Sequence, residues 1–341
     1  MAARGVRGSK TPGVWTRRAG GTSCGMQLSG FHHVTAITAD ASANHAFYTG
    51  VLGLRLVKKT VNQDDVSAYH LFYADGRGSP GTDITFFDWP VPRERQGTAS
   101  VVRTGFRVRS EETLGWWLQR FDEARVEHGP IVERDGRRLI DFSDPEGQRL
   151  SLVAEEAPRV AHPWPRSPVP VAHQILGLGP VMMSVPRLGP TDRMLTAVLN
   201  MRSVRQYPID TYEAAATVSV YEMASGGAAG ELHVCVEPHV PAAAPGAGGV
   251  HHVAFRTPDV GEYRAWEERL RAQGIASSGP VDRYYFRSLY FRDPGGVLFE
   301  IATDGPGFAA DEPVEQLGEQ LALPPFLEAR RAEIERRLKP L

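Results

Sequence analysis

The chain has 341 residues, of which 42% are hydrophobic and 23% charged, and a formal net charge of -2. Those proportions describe an ordinary soluble globular protein, large enough for two domains or one large one, and the small net charge exerts no strong pull toward nucleic acid or an anionic membrane. No apolar run approaches the roughly 20 residues needed to span a bilayer.

Residues 1–25 contain Arg4, Arg7, Lys10, Arg17 and Arg18 and no acid. No apolar stretch follows Arg17-Arg18, so neither a secretory nor a twin-arginine signal is expected. Residues 1–26 read as a disordered leader; a transit peptide shares the composition, and Met26 would serve as a natural start. Cys24 and Cys235 lack the spacing of a metal knuckle or a redox pair, and free thiols fit a reducing cytoplasm.

From Met26 onward, short strand-like runs alternate with single helical stretches, and four units of one design emerge: strand, helix, strand group. Unit one has a strand at Phe31–Thr38, a helix over about 42–51 closed by Gly53, and strands at 54–61, 67–74 and 83–88. Unit two has a strand at 101–108, a helix at 111–124 with Leu114, Trp117, Leu118 and Phe121 on one face, and strands at 138–143 and 148–153. A proline-rich stretch from His162 to Pro170 cannot be a helix or a central strand and reads as a linker over 159–174. Unit three has a strand at 181–185, a helix near 191–199 and strands through Val236. Unit four opens with a strand at 250–255, continues with a helix over 260–273 carrying Tyr263, Trp266 and Leu270 on one face, and closes on Asp293-Pro294-Gly295-Gly296 and a final strand. The expected domains are therefore 27–158 (units one and two) and 175–305 (units three and four). A polar tail over 306–341 follows, ending in a solvated helix near 326–338 with interleaved charges.

The chemistry-bearing residues fall in the first and last units. Phe31-His32-His33-Val34-Thr35 and Val250-His251-His252-Val253-Ala254 repeat one pattern, and Glu300 lies between Phe299 and Ile301 in an oily run. A carboxylate there is costly to bury unless something pairs with it. Strand alternation turns only one ring of each His-His pair inward, so His33 and His252 face one pocket with Thr35, while His32 and His251 fall on the other face or the rim. Two imidazoles and one carboxylate with open positions suit non-haem Fe(II), and Mn(II) could occupy the same set. Unit two carries Ser151 where unit four has Glu300, and unit three offers only Met182 or Met183 at the histidine place. His45, His70, His128, His233 and His239 have no such company and read as structural or surface residues, as do His162 and His173 near the linker.

Repeated units with His-His-Val and a terminal Asp-Pro-Gly-Gly-x-x-x-Glu resemble the vicinal oxygen chelate superfamily of glyoxalases, fosfomycin-resistance transferases and extradiol dioxygenases. The runs Gly30–Thr38, Phe47–Asn62 and Leu321–Pro325 narrow the likeness, over about residues 28–341, to ring-cleaving dioxygenases acting on hydroquinones. The resemblance implies an α+β fold of four βαβββ units in two barrel-like domains. It also implies a non-haem Fe(II), extradiol-type enzyme that opens a small aromatic substrate with O2. By motif position the metal would fall to His33, His252 and Glu300, and Arg283 and Tyr290 would touch substrate, with Thr35, His32 and His251 behind them. Because unit three has no ligand to offer, units one and four are expected to share the metal-bearing barrel. Homo-oligomerisation is compatible with the family. The same scaffold also serves glyoxalase-like isomerases or thiol transferases, and non-catalytic proteins that sequester aromatic compounds. Thr85, near the place matching Glu300 in unit one, argues against the extra carboxylate of a four-ligand isomerase site.

Overall fold

The computed structural model describes residues 26–156, 162–211 and 215–341. The expected leader, Cys24 and the first residues of the linker lie outside them, Met26 excepted.

Of the four helices that belong to the repeated units, two follow directly from cap chemistry and periodicity. Helix α2 (Glu111–Ala124) starts where the Ser110 hydroxyl accepts a hydrogen bond from the Thr113 amide, places Glu111 and Glu112 in its first turn, and buries Leu114, Trp117 and Phe121. Helix α4 (Val260–Ala272) is capped by Asp259 and buries Tyr263, Trp266 and Leu270. The helices of units one and three, α1 (Ala41–His45) and α3 (Leu188–Arg193), widen into π turns at Ala46–Val51 and Met194–Val198. In each, a threonine hydroxyl donates to the carbonyl four residues back (Thr49 to His45, 2.6 Å; Thr196 to Asp192, 2.7 Å), a contact that competes with the helix ladder. Gly53, at φ +71°, follows the first π turn; a Cβ there would sit 2.5 Å from Val169, so only glycine fits.

Among the described residues, sixteen strands form two eight-stranded sheets. Unit one supplies β1 (Phe31–Thr38), β2 (Arg55–Val61), β3 (Tyr69–Ala74) and β4 (Asp83–Asp88), and unit two β5 (Ser100–Val108), β6 (His128–Arg134), β7 (Arg137–Ser143) and β8 (Arg149–Ala154). Unit three supplies β9 (Gly177–Val185), β10 (Arg202–Asp210), β11 (Ala215–Glu222) and β12 (Glu231–Val236), and unit four β13 (Val250–Thr257), β14 (Val281–Asp282), β15 (Arg287–Arg292) and β16 (Leu298–Thr303). The first sheet runs β14-β15-β16-β13-β1-β4-β3-β2, and the second β10-β11-β12-β9-β5-β8-β7-β6. Units one and four therefore share one curled sheet, joined by the antiparallel pair β1–β13, and units two and three share the other through β5–β9. Helix α2 packs on β6, β7 and β8, α4 packs on β16, and Trp117 and Trp266 are wholly buried among the largest side chains of the core.

Two expectations need correction. Strand β6 was not anticipated, because His128–Arg134 is only half-buried along most of its length and shows no alternation. The tail is not simply solvated. It forms two short helices, α5 (Pro325–Glu328) and α6 (Arg331–Arg337), and Leu323, Leu327 and the fully buried Ile334 pack against Val61 of β2. Upstream of them Lys58, also on β2 and fully buried, is neutralised by Asp311 and Glu312 and lies 4.7 Å from the centre of the Tyr285 ring. The charged pairs that suggested a solvated helix do exist, Arg331–Glu335 and Arg337–Glu333 among them, and they flank the buried Ile334. Ile334→Ala is expected to lower the unfolding free energy by about 2–4 kcal/mol, measurable by urea denaturation.

A second prediction concerns acid. Burial raises the pKa of Glu231, but hydrogen bonds from His233, Arg137 and Arg205 outweigh it and hold the carboxyl well below the usual range. Its stabilising contribution is therefore complete above the unfolded-state pKa of about 4.3 and is lost as pH falls below it. Glu231→Gln is expected to flatten the dependence of unfolding free energy on pH below about pH 4.5.

Candidate metal centre

Strand pairing brings the two His-His pairs to the middle of the first sheet. Thr35 of β1 pairs with His252 of β13, His33 with Ala254, and Ala254 in turn with Glu300 of β16. The ladder is irregular at both pairs, with register shifts between Phe31 and His33 and between Thr35 and Ala36 opposite His251. Such a bulge re-aims side chains, and it corrects the simple alternation expected from sequence: His32 and His251 sit beside the inward rings. His32 Nδ1 lies 2.9 Å from His33 Nδ1, and His251 Nδ1 lies 2.7 Å from His252 Nδ1.

The remaining nitrogens converge. His33 Nε2 is 3.3 Å from His252 Nε2, and Glu300 Oε2 is 3.2 Å from the first and 2.9 Å from the second. All three side chains are buried, Glu300 completely. Neither Glu300 oxygen has a hydrogen-bond partner of proper geometry, and two ring nitrogens and a carboxylate oxygen face one point. The separations match neighbouring corners of an octahedron with metal–ligand bonds of about 2.1 Å, whose edge is about 3 Å. The residues therefore fit a divalent cation. For Nε2 to face a cation, each ligand ring must carry its proton on Nδ1, and that proton then points to His32 or His251 as acceptor.

The electrostatics agree. Burial favours a neutral Glu300, but His33 and His252 outweigh it and hold the carboxyl ionised, well below its ordinary range. Burial, reinforced by the neighbouring ring, pushes both His32 and His251 down to about 3, so each is a neutral imidazole at physiological pH.

A cavity of about 430 Å³ opens over the cluster. Tyr290, opposite Glu300 on the β15–β16 ladder, projects into it, and the Arg283 Nε donates to its hydroxyl at 3.2 Å. Burial, then Glu300, raises the Tyr290 pKa, so the phenol keeps its proton. Arg283 pairs with Asp64 at 3.0 Å and not with the adjacent Asp282, whose carboxylate caps the Tyr284 amide. Thr35 does not reach into the cavity as a free hydroxyl: its Oγ1 bonds Thr85 Oγ1 at 2.9 Å, and Thr85 meets His70 Nε2 at 2.9 Å. His70, read from sequence as structural, lines the cavity with Phe72, Phe87, Tyr285 and Phe286. Only its inward place on β3, opposite Phe87, could have singled it out. Thr85 pairs with Thr35 as Glu300 pairs with Ala254, so the matching place in unit one holds a hydroxyl and no fourth carboxylate.

The model of the Glyoxalase/Bleomycin resistance protein/Dioxygenase superfamily matches residues 30–152 and again 177–301. The chain is 46% identical over 318 residues to MhqA of Bacillus subtilis (strain 168), provisionally named a ring-cleaving dioxygenase, covering 93% of this chain and all of that one. It is 30% identical over 317 residues to the chlorohydroquinone/hydroquinone 1,2-dioxygenase of Sphingobium indicum, covering 90% of this chain and 95% of that one. A crystal structure of a provisionally named dioxygenase from Bacillus subtilis superposes with a TM-score of 0.85 at 34% identity, over 92% of this chain and 98% of that one. Maize glyoxalase I shares the fold at a TM-score of 0.60 and 16% identity, over 81% of this chain and 92% of that one. Among the described residues no helix is long and apolar enough to cross a membrane. With two matched repeats and a full-length relative at 46% identity, the chain belongs to the Glyoxalase/Bleomycin resistance protein/Dioxygenase superfamily.

Proposed function

We propose that the protein is a metal-dependent ring-cleaving dioxygenase that opens a hydroquinone-like ring with O2, with Fe(II) as its metal and Mn(II) as the alternative. The observation that carries this reading is the convergence of His33, His252 and Glu300 at separations of 2.9–3.3 Å in a buried pocket. Relatives whose names specify ring cleavage and hydroquinone support the substrate class. Held by His33, His252 and Glu300, the metal would supply Lewis-acid chemistry to this pocket.

The rest is the work of the chain. His33, His252 and Glu300 are the ligands, and His32 and His251 fix the orientation and tautomer of the two imidazoles. Phe72, Phe87 and Phe286 give the cavity apolar walls that hold an aromatic ring and exclude water. Arg283 faces the same space and stabilises an anionic substrate oxygen. Tyr290, protonated and bonded to Arg283, donates a hydrogen bond at the ring or passes a proton there. Thr35 secures the floor through Thr85, and His70, neutral because burial holds its pKa well below the ordinary range, adds one polar contact. Thr85 in place of a fourth carboxylate disfavours the isomerase alternative.

Oxygen uptake by the Fe(II)-loaded protein on a panel of hydroquinones and catechols tests the reading. Uptake is expected with a hydroquinone and is expected to vanish in His252→Ala with the far-ultraviolet circular dichroism unchanged. Turnover of methylglyoxal and glutathione without oxygen consumption would reject it. His251→Gln is expected to weaken Fe(II) or Mn(II) affinity by about 10- to 100-fold while the apo-protein melts normally, as measured by metal titration. Arg283→Met is expected to cut kcat/KM by about 100-fold or more with metal content unchanged.

A further inference from the structure

The second sheet carries a cavity of about 400 Å³, and ladder registers show that it occupies the place of the metal centre. In the first sheet Thr35 pairs with His252, His33 with Ala254, and Ala254 with Glu300. In the second, Met182 pairs with Arg103 and Gly105 with Ser151. Gly30 and Gly177, both at positive φ, open β1 and β9, and counting from them sets Pro180 where His33 stands. Arg103 thus replaces His252, Ser151 replaces Glu300 and Pro180 replaces His33, and all three line the cavity. Pro180, and not Met182 or Met183, is the counterpart of the first histidine.

The chemistry of this space is inverted. An arginine stands where the other barrel has a cation ligand. Asp135, Glu231 and His233 cluster at its edge, but no cation is needed there, because Arg137 and Arg205 already neutralise both carboxylates. The network about the cavity joins four guanidiniums (Arg103, Arg134, Arg137, Arg205) to three carboxylates (Asp135, Asp141, Glu231). Glu222 lies 3.8 Å from Arg205 but is paired more closely, at 2.8 Å, with Arg202. Among the described residues one positive charge remains in excess. Arg103 uses Nη1 on Asp141 and the Leu150 carbonyl, and among the described residues its Nη2 and Nε make no hydrogen bond. Leu139, Val153, Pro180 and Met182 give the same cavity an apolar wall.

We propose that the second barrel is a binding site for a small organic carboxylate with an apolar body, the carboxylate on Arg103 and the body against Met182 and Val153. A planar fork with free donors beside an oily wall fits that class better than it fits a fully polar anion. This inference stands independently of the proposed ring cleavage.

Calorimetric titration of the full chain with benzoate, benzamide and inorganic phosphate tests it. Benzoate is expected to bind once per chain and to hold in His252→Ala. Binding is expected to weaken about tenfold or more in Arg103→Met and with the uncharged benzamide. Arg103→Met leaves Asp141 with Arg134 and Ser151, so folding is expected to survive. Should it fail, Arg103→Lys, which keeps the charge and loses the fork, is expected to weaken benzoate by about threefold or more. No benzoate binding at about 10 mM, binding unchanged in the Arg103 variant, loss in His252→Ala, or phosphate binding in place of benzoate would each overturn the assignment.

Discussion

A carboxylate with no exposure to water sits at the centre of the first barrel, and the surrounding architecture answers to it. Removing an ionised carboxylate from water costs several kcal/mol even after the protein relaxes. Glu300 is wholly buried, its oxygens lack hydrogen bonds, and the two nearest groups are imidazole nitrogens. A divalent cation between the three ligand atoms would offset that cost directly. The bulges, the paired histidines behind the ligands and the aromatic walls all make sense as fittings around that one charge.

The two barrels are one scaffold with opposite electrostatics. The same turn recurs in both halves: Asp144 accepts from Tyr48 on the π segment of unit one, and Asp293 accepts from Thr191 on the helix of unit three. Each bond ties one barrel to a helix of the other, so the barrels are held in fixed relation while their interiors diverge. Where the first presents three ligands to a cation, the second presents Arg103, Ser151 and Pro180.

Much of this was legible in the residues themselves. Repeated His-His-Val runs and a lone Glu in an apolar strand signalled a shared pocket, and the absence of a ligand in unit three forced units one and four together; the β1–β13 ladder joins them. Helix α2 was readable from its apolar face, and the cap and acidic first turn found in the structure agree with it. What was not legible depends on tertiary context. A bulge leaves no mark in composition, so alternation alone could not show His32 and His251 lying against the ligand rings. His70 differs from a core histidine only by which side of β3 it occupies. The tail looked solvated because its charges outnumber its few anchors, yet Ile334 and the Lys58 pair hold it to β2.

The order of the sheets has a further consequence, for synthesis. Strand β1 finds its partner β13 only after His252, 219 positions beyond His33, has emerged from the ribosome. Units two and three are nested between them and can close their own barrel earlier. Until unit four arrives, β1 is paired with β4 on one side only and its other edge is open, the kind of surface that invites wrong partners. All strands of the arginine-lined half thus leave the ribosome before the metal pocket has its second histidine and its carboxylate.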